Sequence, residues 1–341
     1  MPYPAAMPPE LAKLLQPLVV RWEVGMARVA GAYSASRRAA FPDASIEQLL
    51  QHRFSSLPAE KQTASKRRAD RAMAAKGKIT RRAARFLNID LTSPEDAARD
   101  ADPRAVDGFQ LSTQDKKALQ GYIDQLVTHP KAPAPGGGQA APNHSTLALR
   151  FRRMLCVDET NGLFGSEWGS DEMLIGSTAI DTNGVISKVA RINLYKNWDD
   201  GDDRPYPTPK VIARVGLQGK NYPLTAVVTM IMAEDDSGGG LETIVNRIYD
   251  RLAQEARRWL LDNLGKGFPD VLLGWVLAYL VDRIISKLKS YWDDDLFRPV
   301  TIQITLPSQN ATFNGKNSTP SRKLRFSGPG EYFPSYEWVL S

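Results

Sequence analysis

The chain has 341 residues, 42% of them hydrophobic and 24% charged, with a net charge of +6. That length is enough to bury two cores, and the composition is ordinary for a globular protein. One cysteine, Cys156, excludes an internal disulfide, and with three histidines no Cys/His zinc site can be assembled at standard spacing.

The charge is unevenly placed. Residues 1–144 hold 21 Lys and Arg against 14 Asp and Glu, a net +7, whereas 145–341 hold 23 against 24, a net −1. Two regions with different partners are expected. The opening MPYPAAMPPELAK has no basic stretch followed by an apolar one, so no Sec leader is expected and the cytoplasm is the default, with signal-independent export left open.

From Pro8 to about Val127 the pattern is helical. Leu11, Leu14, Leu15, Leu18, Val19 and Trp22 recur at three- and four-residue intervals, with Pro17 as an expected kink. Ser45 is a candidate N-cap, with Gln48 at the capping-box spacing; Ser93 and Ser112 or Thr113 open further helices. Residues 61–85 hold ten Lys and Arg and one acid, Asp70. Such a run could neutralise phosphates, but it has no aromatic residue for base stacking; a solvated basic face, or a contact with an acidic partner or lipid headgroups, is preferred to nucleic acid. The segment 128–145, rich in Pro, Gly and Ala and without periodicity, reads as a linker between an α-helical domain at 1–127 and a second domain at 146–341.

Beyond the linker the period becomes two. LALRFRRMLCV, MLIGSTAI, VISKVARINLY, VIARVGL, YPLTAVVTMIMA, VTIQITL, RKLRF and YFPSYEWVL are strand candidates. Asn183-Gly184 is the favoured pair for a two-residue type I′ hairpin. About eight strands with short polar turns indicate an antiparallel β-sandwich. Residues 241–292 break the pattern. Leu241, Ile244, Val245, Ile248, Leu252, Trp259 and Leu260 share one helical face, glycines follow, and a second helix begins near Pro269. This second helix is apolar nearly all round from Val271 to Val281, about half of the roughly 20 residues that a membrane span requires. Core burial is the ordinary reading of such a run. The sharper one is a helical hairpin that meets a membrane or partner through Trp275, Leu277, Tyr279, Leu280 and Trp292.

Enzyme signatures are absent: there is no phosphate-binding G-x-x-x-x-G-K-[ST] loop, dinucleotide fingerprint, H-E-x-x-H or nucleophile elbow. A Cys156–His144 pair is conceivable, although Cys156 lies in an apolar strand and reads as core. Glu167, Asp171 and Glu172 could act as paired carboxylates, without specific spacing. A non-enzymatic role is therefore favoured.

Acid recurs instead in the turns, at Asp158-Glu159, Glu167, Asp171-Glu172, Asp199–Asp203, Glu234–Asp236 and Asp293–Asp295. Calcium takes six to eight oxygen ligands, which such loops can supply, while solvated turns need no ion at all. An antiparallel sandwich with aspartates in several turns, including the D-x-D element Asp293–Asp295, resembles a C2 domain over residues 147–341. The resemblance implies calcium held by Asp171, Asp235, Asp236, Asp293 and Asp295, and binding to a membrane surface or protein partner. The helical hairpin between these loops departs from that family's pattern. The expected fold is thus α+β: an all-α basic domain joined to a C2-like antiparallel β-sandwich with an inserted helical hairpin. The expected function is calcium-assisted association, against a membrane-active effector or pore-forming toxin inserting the hairpin, or an oligomer-forming assembly subunit burying it.

Overall fold

The computed structural model of the protein describes residues 9–32, 41, 43, 45–74, 112–114, 116–117, 119–121, 143–159, 173–194, 197–234, 241–265, 268, 270–292 and 296–341. The chain is α+β. Among the described residues, helices α1 (Pro9–Ala32), α2 (Ile46–Ser56) and α3 (Ala59–Ala74) come first, and residues 113–121 include further helical positions before the first strand. Five strands follow: β1 (Thr146–Asp158), β2 (Met173–Asp181), β3 (Ile186–Asn193), β4 (Asp203–Gly216) and β5 (Leu224–Glu234). Helices α4 (Leu241–Leu264) and α5 (Asp270–Trp292) precede β6 (Val300–Leu306), the short β7 (Arg322–Lys323) and β8 (Phe326–Ser327), and β9 (Glu331–Leu340). One sheet runs β4-β1-β9-β7, with β8 also on β9; the other runs β3-β2-β5-β6, and every pairing is antiparallel.

Local signals are used in part as the sequence implies. The Ser45 hydroxyl accepts the Gln48 N–H at 3.0 Å and caps α2. The Gln48 side chain does not complete the box; it donates to Asp43 at 2.7 Å. Helix α1 continues through Pro17. Ser93 lies outside the described residues, while at Ser112 the carbonyl accepts the Lys116 N–H at 2.9 Å.

The β2–β3 hairpin forms, but not through a two-residue type I′ turn. Residues 182–185 lie between the strands, and of the Asn183-Gly184 pair only Gly184 has positive φ. The reason is Asp181, whose carboxylate accepts the N–H groups of Asn183 and Val185 at 2.9 and 3.0 Å, while Lys220 pairs with its other oxygen at 2.8 Å.

Two apolar cores result. Between the sheets, Leu149, Phe151, Met154 and Cys156 of β1 meet Ile175, Val228, Met230 and Met232, with Tyr332 and Trp338 of β9. On the other face of β2 and β5, Ile180, Ile231 and Ala233 join a second core built from α1, α2, α4 and α5. The molecule is therefore layered as helices, sheet, sheet. This explains why β2 and β5 are nearly continuous apolar runs: both of their faces are covered, so period-two alternation is lost.

The helical core draws on both halves of the chain. Helices α1–α3, from the basic half, pack with α4 and α5, so residues on both sides of the 128–145 segment share one interior. Of that segment only 143–145 are described. Leu272, Val276, Leu277, Leu280 and Ile284 of α5 have no exposed surface, each such burial being worth about 1.5–3 kcal/mol.

The contact between α1 and α4 also carries charge. The Glu255 carboxylate is buried and accepts from Trp22 Nε1 at 2.9 Å, Arg251 Nε at 2.9 Å and Arg21 Nη1 at 3.4 Å. Glu23 of α1 pairs with Lys287 of α5 at 3.0 Å. A buried carboxylate is tolerable only with such partners.

Candidate functional site

The sheet registers gather several chain segments at one end of the molecule. Met173, the first residue of β2, lies opposite Glu234, the last of β5, and Ala233 bridges to Leu296. The Leu194 N–H donates to the Met173 carbonyl at 2.9 Å, which brings the end of β3 alongside. In the facing sheet, Asp158 of β1 is opposite Glu331 of β9, and Leu155 is opposite Asp203 of β4. Asp158, Glu159, Asp199, Asp200, Asp202, Asp203, Glu234 and Glu331 thus share this end of the sheets. The opposite end presents Asp181, which is buried against Lys220, together with the polar turns at 217–221 and 307–317.

Three of the four carboxylates in the turn NWDDGDDRPYP have partners within it or at β1. The Asp199 N–H donates to Asp202 Oδ2 at 2.9 Å, and the Glu159 N–H to Asp200 Oδ1 at 2.8 Å. Arg204 binds Asp202 and Arg153 binds Asp203. Backbone bonds tie the turn to β1: Cys156 N–H to the Asp202 carbonyl at 2.8 Å, and Gly201 N–H to the Cys156 carbonyl at 3.0 Å. Gly201 sits at φ +83°, where a side chain would be strained, so the glycine among the aspartates is set by the turn. Hydrogen bonds and two arginines hold this turn.

An aromatic floor lies beneath the acidic end. Trp198 and Phe297 each meet Tyr332 edge to face, with ring centroids 5.7 and 5.5 Å apart, and all three side chains are buried. These rings come from the acidic turn, from β9 and from the segment after α5, so they join both sheets at this end. The Arg204 guanidinium lies 4.9 Å from the Trp198 ring. Gly330 completes the junction. A Cβ there would fall 2.4 Å from the Asp158 carbonyl oxygen, so the chain passes only because glycine has none.

Asp171, Asp235, Asp236, Asp293 and Asp295 lie outside the described residues, as do Glu167 and Glu172. What is described is their flanks: Met173, Glu234 and Leu296 are neighbours in one sheet. Among the described residues, no three His, Cys, Asp or Glu side chains are grouped to hold a metal ion. The hairpin residues point inward. Trp275, Leu277, Leu280 and Trp292 are buried, Tyr279 is half-buried with its hydroxyl 3.4 Å from the Ala12 carbonyl, and Trp292 packs edge-on against Phe54 at 5.3 Å. In this packing they close the helical core. Among the described residues, no helix is long and apolar enough to cross a membrane.

The Cys156–His144 pair does not form. His144 lies just before β1 and Cys156 near its end, roughly 40 Å away along extended chain. Cys156 is a core residue between the sheets. A separate groove of about 700 Å³ on the helical layer is lined by Ser45, Gln48, Gln51, His52, Ser55 and Arg247. The aromatic floor and the Gly330 crossing were not anticipated from sequence. The signals were Trp198 beside the acidic run and the SGPGEY turn.

No family model, curated protein or solved structure matches the chain.

Proposed function

We propose that the protein is a non-enzymatic binding module that associates, with calcium as the bridging ion, through the acidic end of its two sheets. The observation behind this reading is the adjacency of Met173, Glu234 and Leu296, the described residues that flank Asp171, Asp235-Asp236 and Asp293–Asp295. Met173, Glu234 and Leu296, each bordering an acidic segment and far apart in sequence, meet at one end of the sheet. Carboxylates gathered there repel, and a hard divalent cation with six to eight oxygen ligands relieves that repulsion. Asp171, Asp235, Asp236, Asp293 and Asp295 supply the ligands in this C2-like scheme. The Trp198–Tyr332–Phe297 floor holds the loop roots in fixed relation, and an anionic membrane headgroup or an acidic partner surface completes the coordination. The helical layer supports the sheet from behind.

Thermal unfolding of the full chain in calcium and in chelator tests the reading. A site present only in the folded state adds about 2.7 kcal/mol at a hundredfold excess of calcium over Kd. Asp235→Asn and Asp295→Asn should each shrink that gain. Superimposable melting curves in millimolar calcium and in chelator would remove the metal from the function.

A further inference from the structure

Sheet edges are ready-made templates for another strand, and most edges of this molecule are defended. The first half of β4 carries Pro205, Pro207 and Pro209 at alternate positions, which deletes N–H donors along it. The edge of β3 abuts β4, where the Ser187 hydroxyl donates to the Arg214 carbonyl at 2.6 Å. Strands β7 and β8 are two residues each.

Strand β6 is different. It ends the β3-β2-β5-β6 sheet and, among the described residues, pairs with β5 alone. Its seven residues include no charge, no proline and no bulge, the register running unbroken from Leu224↔Leu306 to Met230↔Val300. The sequence V-T-I-Q-I-T-L also reads nearly the same in both directions about Gln303. Thr301, Gln303 and Thr305 face the helical layer, and Val300, Ile302, Ile304 and Leu306 face the inter-sheet core.

A contact between two identical surfaces on a two-fold axis must be self-complementary, which a palindromic antiparallel strand is. We propose that β6 pairs with β6 of a second copy, antiparallel about Gln303, joining two four-stranded sheets into one of eight. Thr301 then lies opposite the partner's Thr305, and Ile302 opposite the partner's Ile304. This repeats the ladder already made across β5 and β6, where Thr229 meets Thr301 at 3.0 Å and Thr225 meets Thr305 at 2.8 Å. An unrelated strand would fit the same edge but would not need the palindrome.

Sedimentation velocity of the full chain over a roughly hundredfold range of concentration should show a monomer–dimer equilibrium. Gln303→Lys or Gln303→Glu alone sets like charges against each other on the axis and should weaken association at least about tenfold. An equimolar mixture of the two should restore the dimer. Thr305→Lys, at an exposed side chain, should weaken it as well and decides the matter if the Gln303 variants unfold. A wild type that stays monomeric throughout overturns the proposal. So does a dimer that none of these charges weakens, because it would use another surface.

Discussion

The two cores of this protein are oriented by different means. Between the sheets, direction is carried by the backbone: β1 lies in register with both β4 and β9, and side chains meet where the ladders put them. The helical core has no ladder between α1 and its partners, since a helix satisfies its own backbone. Trp22 and Glu255, 233 residues apart in the chain, supply a fixed point through a hydrogen bond, and Arg21 and Arg251 neutralise it. Apolar contact between helices is tolerant of sliding; a buried carboxylate with three donors is not. The lesson is that a buried, fully partnered carboxylate can fix the placement of helices that no backbone ladder orients.

The strongest way to break this comparison is Glu255→Ala. It leaves Arg21 and Arg251 without their buried partner and should cost about 3–5 kcal/mol, measured by urea unfolding. Hydrogen exchange sharpens the result: α1 and α4 should lose protection while β1 and β9 keep theirs. Equal loss in all four elements would mean one cooperative core rather than two.

Gly330→Ala probes the inter-sheet side. Its Cβ would strike the Asp158 carbonyl, so the end of β1 must shift, at a cost of about 1–3 kcal/mol. Here protection should fall at the acidic ends of β1 and β9, with α1 unaffected.

The smallest effect concerns Tyr249, which ties the helical layer to the sheet it covers. Its buried hydroxyl hydrogen-bonds with Thr178 and Thr229 on the central sheet, and burial pushes its pKa up. The folded state therefore keeps this phenol neutral where the unfolded chain, with a pKa of about 10, ionises it. The stability involved is whole below that pH and falls above it, by about 1.4 kcal/mol per pH unit for one group. Tyr249→Phe should cost about 1 kcal/mol at neutral pH and make the alkaline decline shallower, so the two proteins converge as pH rises beyond about 10. Parallel alkaline limbs would show that other groups set that decline.

Much of the layout was legible in the sequence because it depends on local period. Alternation in LALRFRRMLCV yields β1, and three- and four-residue spacing yields α1 and α4. The apolar circumference of α5 correctly signals burial on all sides, but the sequence does not say by what. Its cover includes α1, whose match to α5 is a matter of surface shape between segments more than two hundred residues apart. The unbroken runs in β2 and β5 were a readable sign of a second covering layer, easily taken for ordinary sandwich strands. At the acidic end, the density of aspartates was visible and their use was not. Asp199 and Asp202 brace each other's turn, and that depends on φ angles that only the fold sets.

The Ala233–Leu296 bridge has a last consequence. The chain leaves β5 and returns toward β6 at adjoining positions, so the helical pair is spliced into the sheet through a closed port. The ladder between β5 and β6 therefore keeps its register across an excursion of two long helices. The sheet is thus closed beneath its own insertion, and the helices that leave it fold back to cover the face they came from.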